Sequence, residues 1–240
     1  MTLLTPSPRP TRARYERVGF GNHSDVYRRP GSRWCVQVFR PDCPELTPDK
    51  VREEYAYLVR AYAAMPGLIP WQRLFVPCEG AHICEALLVK EWAEVDFSRP
   101  LNQVRGGDLD PARLAQVEEF ILRTRSQLLH ARFEETLLVD ILDPRWTNVA
   151  FDTAGRLRVL DTNRLVSTRA LRSLAAGETL DIVRRRVHAK WMRRLMFLES
   201  RFLGRGPGAL TADPVYTRYL APGDFEALFS ASAEAGEPIE

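Results

Sequence analysis

The chain has 240 residues, a net charge of +3, 45% hydrophobic and 27% charged side chains. This is the profile of a globule with a sizeable core and excludes a disordered chain or a strongly basic polyanion binder. No apolar run reaches the roughly 18 residues that cross a bilayer, so no transmembrane segment is expected. The four cysteines, Cys35, Cys43, Cys78 and Cys84, have neither Cys-x-x-Cys spacing nor a histidine cluster beside them. That argues against a zinc site and a disulfide framework and points to a reducing, cytoplasmic setting.

Residues 1–14 are rich in proline and arginine, lack the apolar core of a secretory signal, and read as a flexible tail. Alternating polarity predicts strands over 15–19, 25–28 and 34–39, with a glycine-containing break after the first and a turn at 29–32. Thr47 and Pro48 cap and open a helix over 49–64, with Val51, Tyr55, Leu58, Val59 and Tyr62 as its apolar stripe. Strands follow at 74–76 and 86–89. A long helix runs from about Asp110 to Phe133, facing inward with Leu114, Val117, Ile121, Leu128 and Leu129. Two short strands, 148–151 and 157–160, flank a turn at 152–155. Residues 168–202 read as an arginine-rich helical stretch, and a short helix lies near 223–231. Strands with one helix followed by a mostly helical half make an α+β chain with two lobes.

Two segments carry chemistry. Gly19-Phe20-Gly21-Asn22-His23-Ser24 lies between two strands, where glycines let backbone N–H groups approach phosphates. Further on, Asp143 is followed by four residues and Asn148, then a strand, a turn with Gly155, a second strand and Asp161. A hairpin brings its ends together, so Asn148 and Asp161 come within reach of one cation. Asp143 lies on a loop that can face a substrate hydroxyl. Two oxygen ligands plus phosphates suffice for Mg²⁺.

This spacing resembles the protein-kinase catalytic loop and metal-binding aspartate. The resemblance implies a two-lobed protein-kinase-like fold: a small antiparallel-sheet N-lobe over 15–95 and a reduced, mostly helical C-lobe over 96–240. It implies ATP and Mg²⁺ as cofactors. Asp143 is then the catalytic aspartate, Asn148 and Asp161 the metal ligands, and Gly19, Gly21 and Ser24 the phosphate flap. Glu54 stands for the glutamate of the first-lobe helix, with Glu53 a competitor, and the backbone of Glu91 and Ala93 stands for the adenine-binding hinge. The outline also resembles the YrbL-like bacterial proteins of the PhoP regulatory network, through the Gly19 hairpin, Arg52-Glu53-Glu54-Tyr55, the Asp143–Asn148 loop and Trp191-Met192-Arg193-Arg194.

The sequence departs from the template in places. Gln37 stands where kinases carry the third-strand lysine, Asp161-Thr162-Asn163 lacks Phe and Gly, and Ile141-Leu142 precede Asp143. Lysine occurs only at 50, 90 and 190, the other basic residues being arginine. Lys90 is the candidate to replace the missing cation, set against a plain surface lysine. Three readings follow: an atypical phosphotransferase acting on a hydroxyl, a pseudokinase that binds nucleotide or a protein partner, and a small-molecule kinase. The basic stretch 184–194 reads either as a contact for an acidic surface or as a solvated helix face.

Overall fold

Alternating polarity across the first strands yields a single antiparallel sheet. The computed structural model describes residues 15–21, 23–42, 46–130, 137–167 and 182–239, with the backbone alone for 182–186. The tail 1–14, Asn22, Cys43, the end of the long helix near Phe133 and the stretch 168–181 lie outside the described residues, as do the side chains of Arg184, Arg185 and Arg186. The strands β1 (Glu16–Phe20), β2 (Ser24–Arg28), β3 (Trp34–Phe39), β4 (Gln72–Phe75) and β5 (Leu87–Glu91) pair in the order β1-β2-β3-β5-β4. Every neighbouring pair is antiparallel, and β1 is bulged between Arg17 and Gly19.

The chain divides into two compact units. Met1–Pro48 and Gln72–Trp92 form the sheet unit, and Asp49–Trp71 with Ala93–Glu240 form the second. The helix α1 (Pro48–Ala61) thus belongs almost wholly to the second unit. Beside it stand α2 (Pro111–His130), α3 (Ile182–Leu203), α4 (Pro207–Thr211), α5 (Pro214–Thr217) and α6 (Pro222–Glu234). Two small antiparallel pairs complete it: β6 (Leu137–Leu138) with β9 (Val166–Ser167), and β7 (Val149–Phe151) with β8 (Leu157–Val159). This is an α+β chain with an antiparallel N-terminal sheet and a helical C-terminal part. No described helix is long and apolar enough to cross a membrane.

The inward face of α1 differs from the expected stripe. Val51, Glu54, Leu58 and Tyr62 are buried, whereas Val59 is 43% exposed. Steps of three and four residues from Val51 reach Glu54 and Leu58, and Val59 lies a further 100° around the helix. A carboxylate therefore occupies a core-facing position that an apolar-only reading passes over, whereas Glu53 is exposed. On α2 the buried residues are Val117, Phe120, Ile121, Thr124, Gln127 and Leu128, while Leu129 turns outward. Tyr62 stacks on Phe120 at 5.7 Å and its hydroxyl meets that of Thr124 at 2.7 Å. Trp191, Leu195, Met196 and Leu198 of α3 are fully buried in the same cluster.

A buried charge network ties α2 to α3 and the short helices. Glu199 is fully buried and accepts hydrogen bonds from Arg125 at 3.2 Å, from Arg205 and from the Tyr216 hydroxyl. Arg125 and Arg205 also share Asp213, which caps α5 through the Val215 N–H at 2.8 Å. Removing one member strands the others in a low-dielectric interior. Glu199→Ala is therefore expected to cost about 3–5 kcal/mol in urea unfolding. Glu119→Ala, which breaks the exposed 2.6 Å pair with Arg123, is expected to cost about 0.5 kcal/mol or less.

Candidate active site

The β7–β8 hairpin turns through Gly155, whose φ of +77° suits glycine and whose missing Cβ leaves room for the Arg113 guanidinium. A branched or even a methyl side chain there would sit 3.1 Å from Arg113 Nε. At the open end of the hairpin the Leu160 N–H bonds to the Asn148 carbonyl at 2.7 Å. Asp161 is the next residue, so Asn148 and Asp161 leave the hairpin at the same end.

The loop before β7 is shaped by its own acids. Asp143 accepts from the Thr147 N–H at 2.7 Å, from the Thr147 hydroxyl, and from the Arg145 N–H at 3.2 Å. Burial pushes its pKa up, but these hydrogen bonds and the nearby Arg194 charge outweigh that and hold it below the usual carboxylate range. Asp143 is thus an ionised acceptor. Asp140, which sequence reasoning passed over, accepts from the Leu142 N–H at 2.6 Å and from Asn148 Nδ2 at 3.0 Å. Its pKa is raised, by burial first and also by the charges of Asp161 and Asp143. An acid inside the apolar run Leu137-Leu138-Val139-Asp140-Ile141-Leu142 was the signal available in the sequence.

Glu54 belongs to the same electrostatic cluster. It is 3% exposed, accepts from the Leu165 N–H at 3.4 Å and pairs with Lys50 at 3.8 Å. Its pKa is raised to about 7, chiefly by burial, with Asp161 adding to the rise and Lys50, the Leu165 N–H and Arg164 opposing it. Asp161 itself accepts from the Asn163 N–H at 3.1 Å. Glu54, Asp140, Asp143 and Asp161 are therefore linked through mutual repulsion, with Asn148 bonded into the group and Arg164 as counter-charge. Among the described residues no three His, Cys, Asp or Glu side chains stand close enough to hold a metal by themselves. Magnesium takes one or two protein oxygens and completes its shell with phosphates and water, and the Asn148 amide and Asp161 carboxylate are oxygen donors of that kind. Asn148 donates through Nδ2 to Asp140, and Asp161 accepts from the Asn163 N–H through Oδ1.

The remaining predicted residues lie on the sheet unit, Ala93 excepted. Gly21 N–H bonds to the Ser24 carbonyl at 2.8 Å, closing the β1–β2 turn. Neither Gly19 nor Gly21 adopts the left-handed region, and the intervening Phe20 is 76% exposed. Gln37 donates to Ser24 Oγ at 2.7 Å. In the register Cys35 faces Lys90 and Gln37 faces Leu88, so Cys35, Gln37 and Lys90 share one face. Lys90 is 8% exposed, not a surface lysine, and its charge reaches the Cys35 thiol. Glu91 ends β5 opposite Trp34, and Ala93 opens the second unit. Of the basic helix, Lys190, Arg193 and Arg194 all engage partners within their own unit.

The raised pKa of Glu54 sets a pH dependence with a definite sign. A carboxyl titrating near 7 when folded and near 4.5 when unfolded contributes stability below pH 4.5 that is lost as pH rises through 7. Glu54→Gln removes this loss. Relative to the parent, the variant is expected to gain stability between pH 5 and pH 8, by on the order of 3 kcal/mol. Urea unfolding across that range checks it, and a pH-independent difference would contradict it.

No family model matches the chain, and no curated protein matches it. Among solved structures, the crystal structure of choline kinase LicA from Streptococcus pneumoniae matches over 93% of each chain, at 13% identity and a TM-score of 0.35. At that score the likeness carries no weight of its own.

Proposed function

We propose that this chain is an atypical protein-kinase-like phosphotransferase of the YrbL-like bacterial kind, moving the γ-phosphate of ATP to a hydroxyl acceptor with Mg²⁺. The observation that carries the reading is the Asn148–Asp140 bond at the open end of the β7–β8 hairpin. Asn148 and Asp161 leave the hairpin at that end, and the ionised Asp143 precedes Asn148 on the same loop. Bound Mg²⁺-ATP supplies an activated phosphoryl group, and such transfer depends mainly on positioning and charge stabilisation. Asp143, held by Thr147 and Arg145, orients the acceptor hydroxyl and takes its proton. Asn148 and Asp161 hold the cation. Glu54, its charge tuned by Lys50, takes the place of the first-lobe helix glutamate. Gly19, Gly21 and Ser24 bind phosphate through the turn, and Glu91 and Ala93 offer backbone groups to the base. Lys90 supplies the cation that Gln37 lacks, since both lie on one sheet face. The lobes of this reading run over 15–95 and 96–240, although α1 counts almost wholly with the second compact unit.

A second reading, a pseudokinase that binds nucleotide or a protein partner without transfer, draws support from Gln37, whose amide is bonded to Ser24. The two separate on measurement. Mg²⁺-ATP is expected to raise the melting temperature, and label from [γ-³²P]ATP is expected to reach a panel of hydroxyl acceptors (sugars, amino alcohols, a generic protein). Asp143→Ala is expected to lower transfer by about 10²–10⁴-fold while keeping the thermal shift. Lys90→Met is expected to weaken the shift more than Lys50→Met does. A shift without transfer to any acceptor favours the pseudokinase, and no shift at all contradicts the phosphotransferase and the nucleotide-binding form of the pseudokinase.

A further inference from the structure

The loop 139–148 has little strand or helix of its own to satisfy its carbonyls. A row of donors from α3 meets them instead. Trp191 Nε1 donates to the Val139 carbonyl at 2.9 Å, and Lys190 Nζ donates to that of Leu142 at 3.0 Å. Arg194 reaches two more, Ile141 at 2.7 Å and Asp143 itself. Three side chains within five residues of one helix thus hold four carbonyls of the loop that bears Asp143.

Arg194 is in turn fixed from behind by the segment after α6. The backbone reverses at Gly236, with φ at +69°, and the Glu237 N–H bonds to the Ser232 carbonyl at 2.9 Å. Glu237 is 2% exposed. Its Oε1 accepts from Arg194 at 3.0 Å and from Trp146 Nε1 at 3.0 Å, and its Oε2 lies 3.8 Å from Arg193. Trp146 is a loop residue in the left-handed region, at φ +56°, a strained setting for a bulky side chain. Arg194 stacks over its ring at 4.5 Å, and the ring packs on Phe197 at 5.5 Å. A buried carboxylate 91 residues distant in sequence thereby holds both the strained residue and the arginine that grips the Asp143 carbonyl.

The geometry points to Glu237 as a positioning residue for the Asp143 loop: it latches Arg194 and Trp146 and so sets where the Asp143 carboxylate points. The inference rests on the phosphotransferase reading for its consequence in catalysis, but the latch is testable without it. An ordinary core contact would stabilise the whole unit alike, whereas a latch acts first on the loop.

Hydrogen exchange by mass spectrometry on the full chain separates the two. Glu237→Ala is expected to speed exchange of the amides of Leu142, Arg145, Trp146 and Thr147 at least tenfold, with the amides of 117–128 in α2 unchanged. Equal acceleration of loop and α2, or loop exchange within twofold of the parent, would overturn the latch. If Glu237→Ala does not fold, Glu237→Gln decides. It keeps an acceptor for Trp146 but loses the charge facing Arg194, and a rise of about threefold confined to the loop is expected; no rise overturns the latch. Phosphate transfer measured in parallel is expected to show a lower kcat in the same variant, with KM for ATP within twofold. If the loop loosens while the parent transfers no phosphate, the latch stands and the phosphotransferase reading fails.

Discussion

An irregular loop cannot run through a protein interior unless something supplies donors for its carbonyls, because each unpaired buried group costs about 1–3 kcal/mol. In this protein the something is one face of α3. Trp191, Lys190 and Arg194 satisfy the carbonyls of Val139, Leu142, Ile141 and Asp143. The side chains of Asp140 and Asp143 cap amides within the loop. With its backbone so fixed, the loop delivers Asp143 and Asn148 to the mouth of the β7–β8 hairpin. The cations Lys190 and Arg194 of α3 meet this demand. Among its described cations, Lys190, Arg193 and Arg194 point toward loop carbonyls or the buried Glu237 rather than lying along a solvated stripe.

The same economy explains the acids. Burial raises the pKa values of Glu54 and Asp140, and repulsion among Glu54, Asp140, Asp143 and Asp161 adds to the rise. Asp143 escapes the rise because three hydrogen bonds converge on its carboxylate. A cluster of this kind carries unfavourable charge that a divalent cation would relieve, which is the physical ground for the proposal that Asn148 and Asp161 take magnesium.

Much of the fold is legible in the sequence. The five sheet strands, the two long helices within the described residues and the β7–β8 hairpin follow from alternation, helical spacing and turn residues, with ends differing by a few positions. The loop-hairpin-aspartate spacing also stands out, because it is local. What the sequence hides is non-local or sign-ambiguous. Glu54 looks like a surface acid until α1 is seen to turn it inward in place of Val59. Lys190 and Arg194 look like a solvated basic face, since nothing in the linear order says that a carbonyl-rich loop lies opposite. Glu237 lies 43 residues beyond Arg194 and its burial depends on a turn at Gly236. Lys90 is the intermediate case: its place on the Gln37 face follows from register, which pairing between distant strands sets.

The central claim is that Asn148 and Asp161 hold one divalent cation together with a nucleotide. Mn²⁺ titration in the presence of ATP, followed by electron paramagnetic resonance, measures this directly. The account predicts a protein-bound Mn²⁺ population that needs ATP and falls at least tenfold in affinity in both Asn148→Leu and Asp161→Asn. Bound Mn²⁺ unchanged by either substitution, or no ATP-dependent binding by the parent chain, would contradict it.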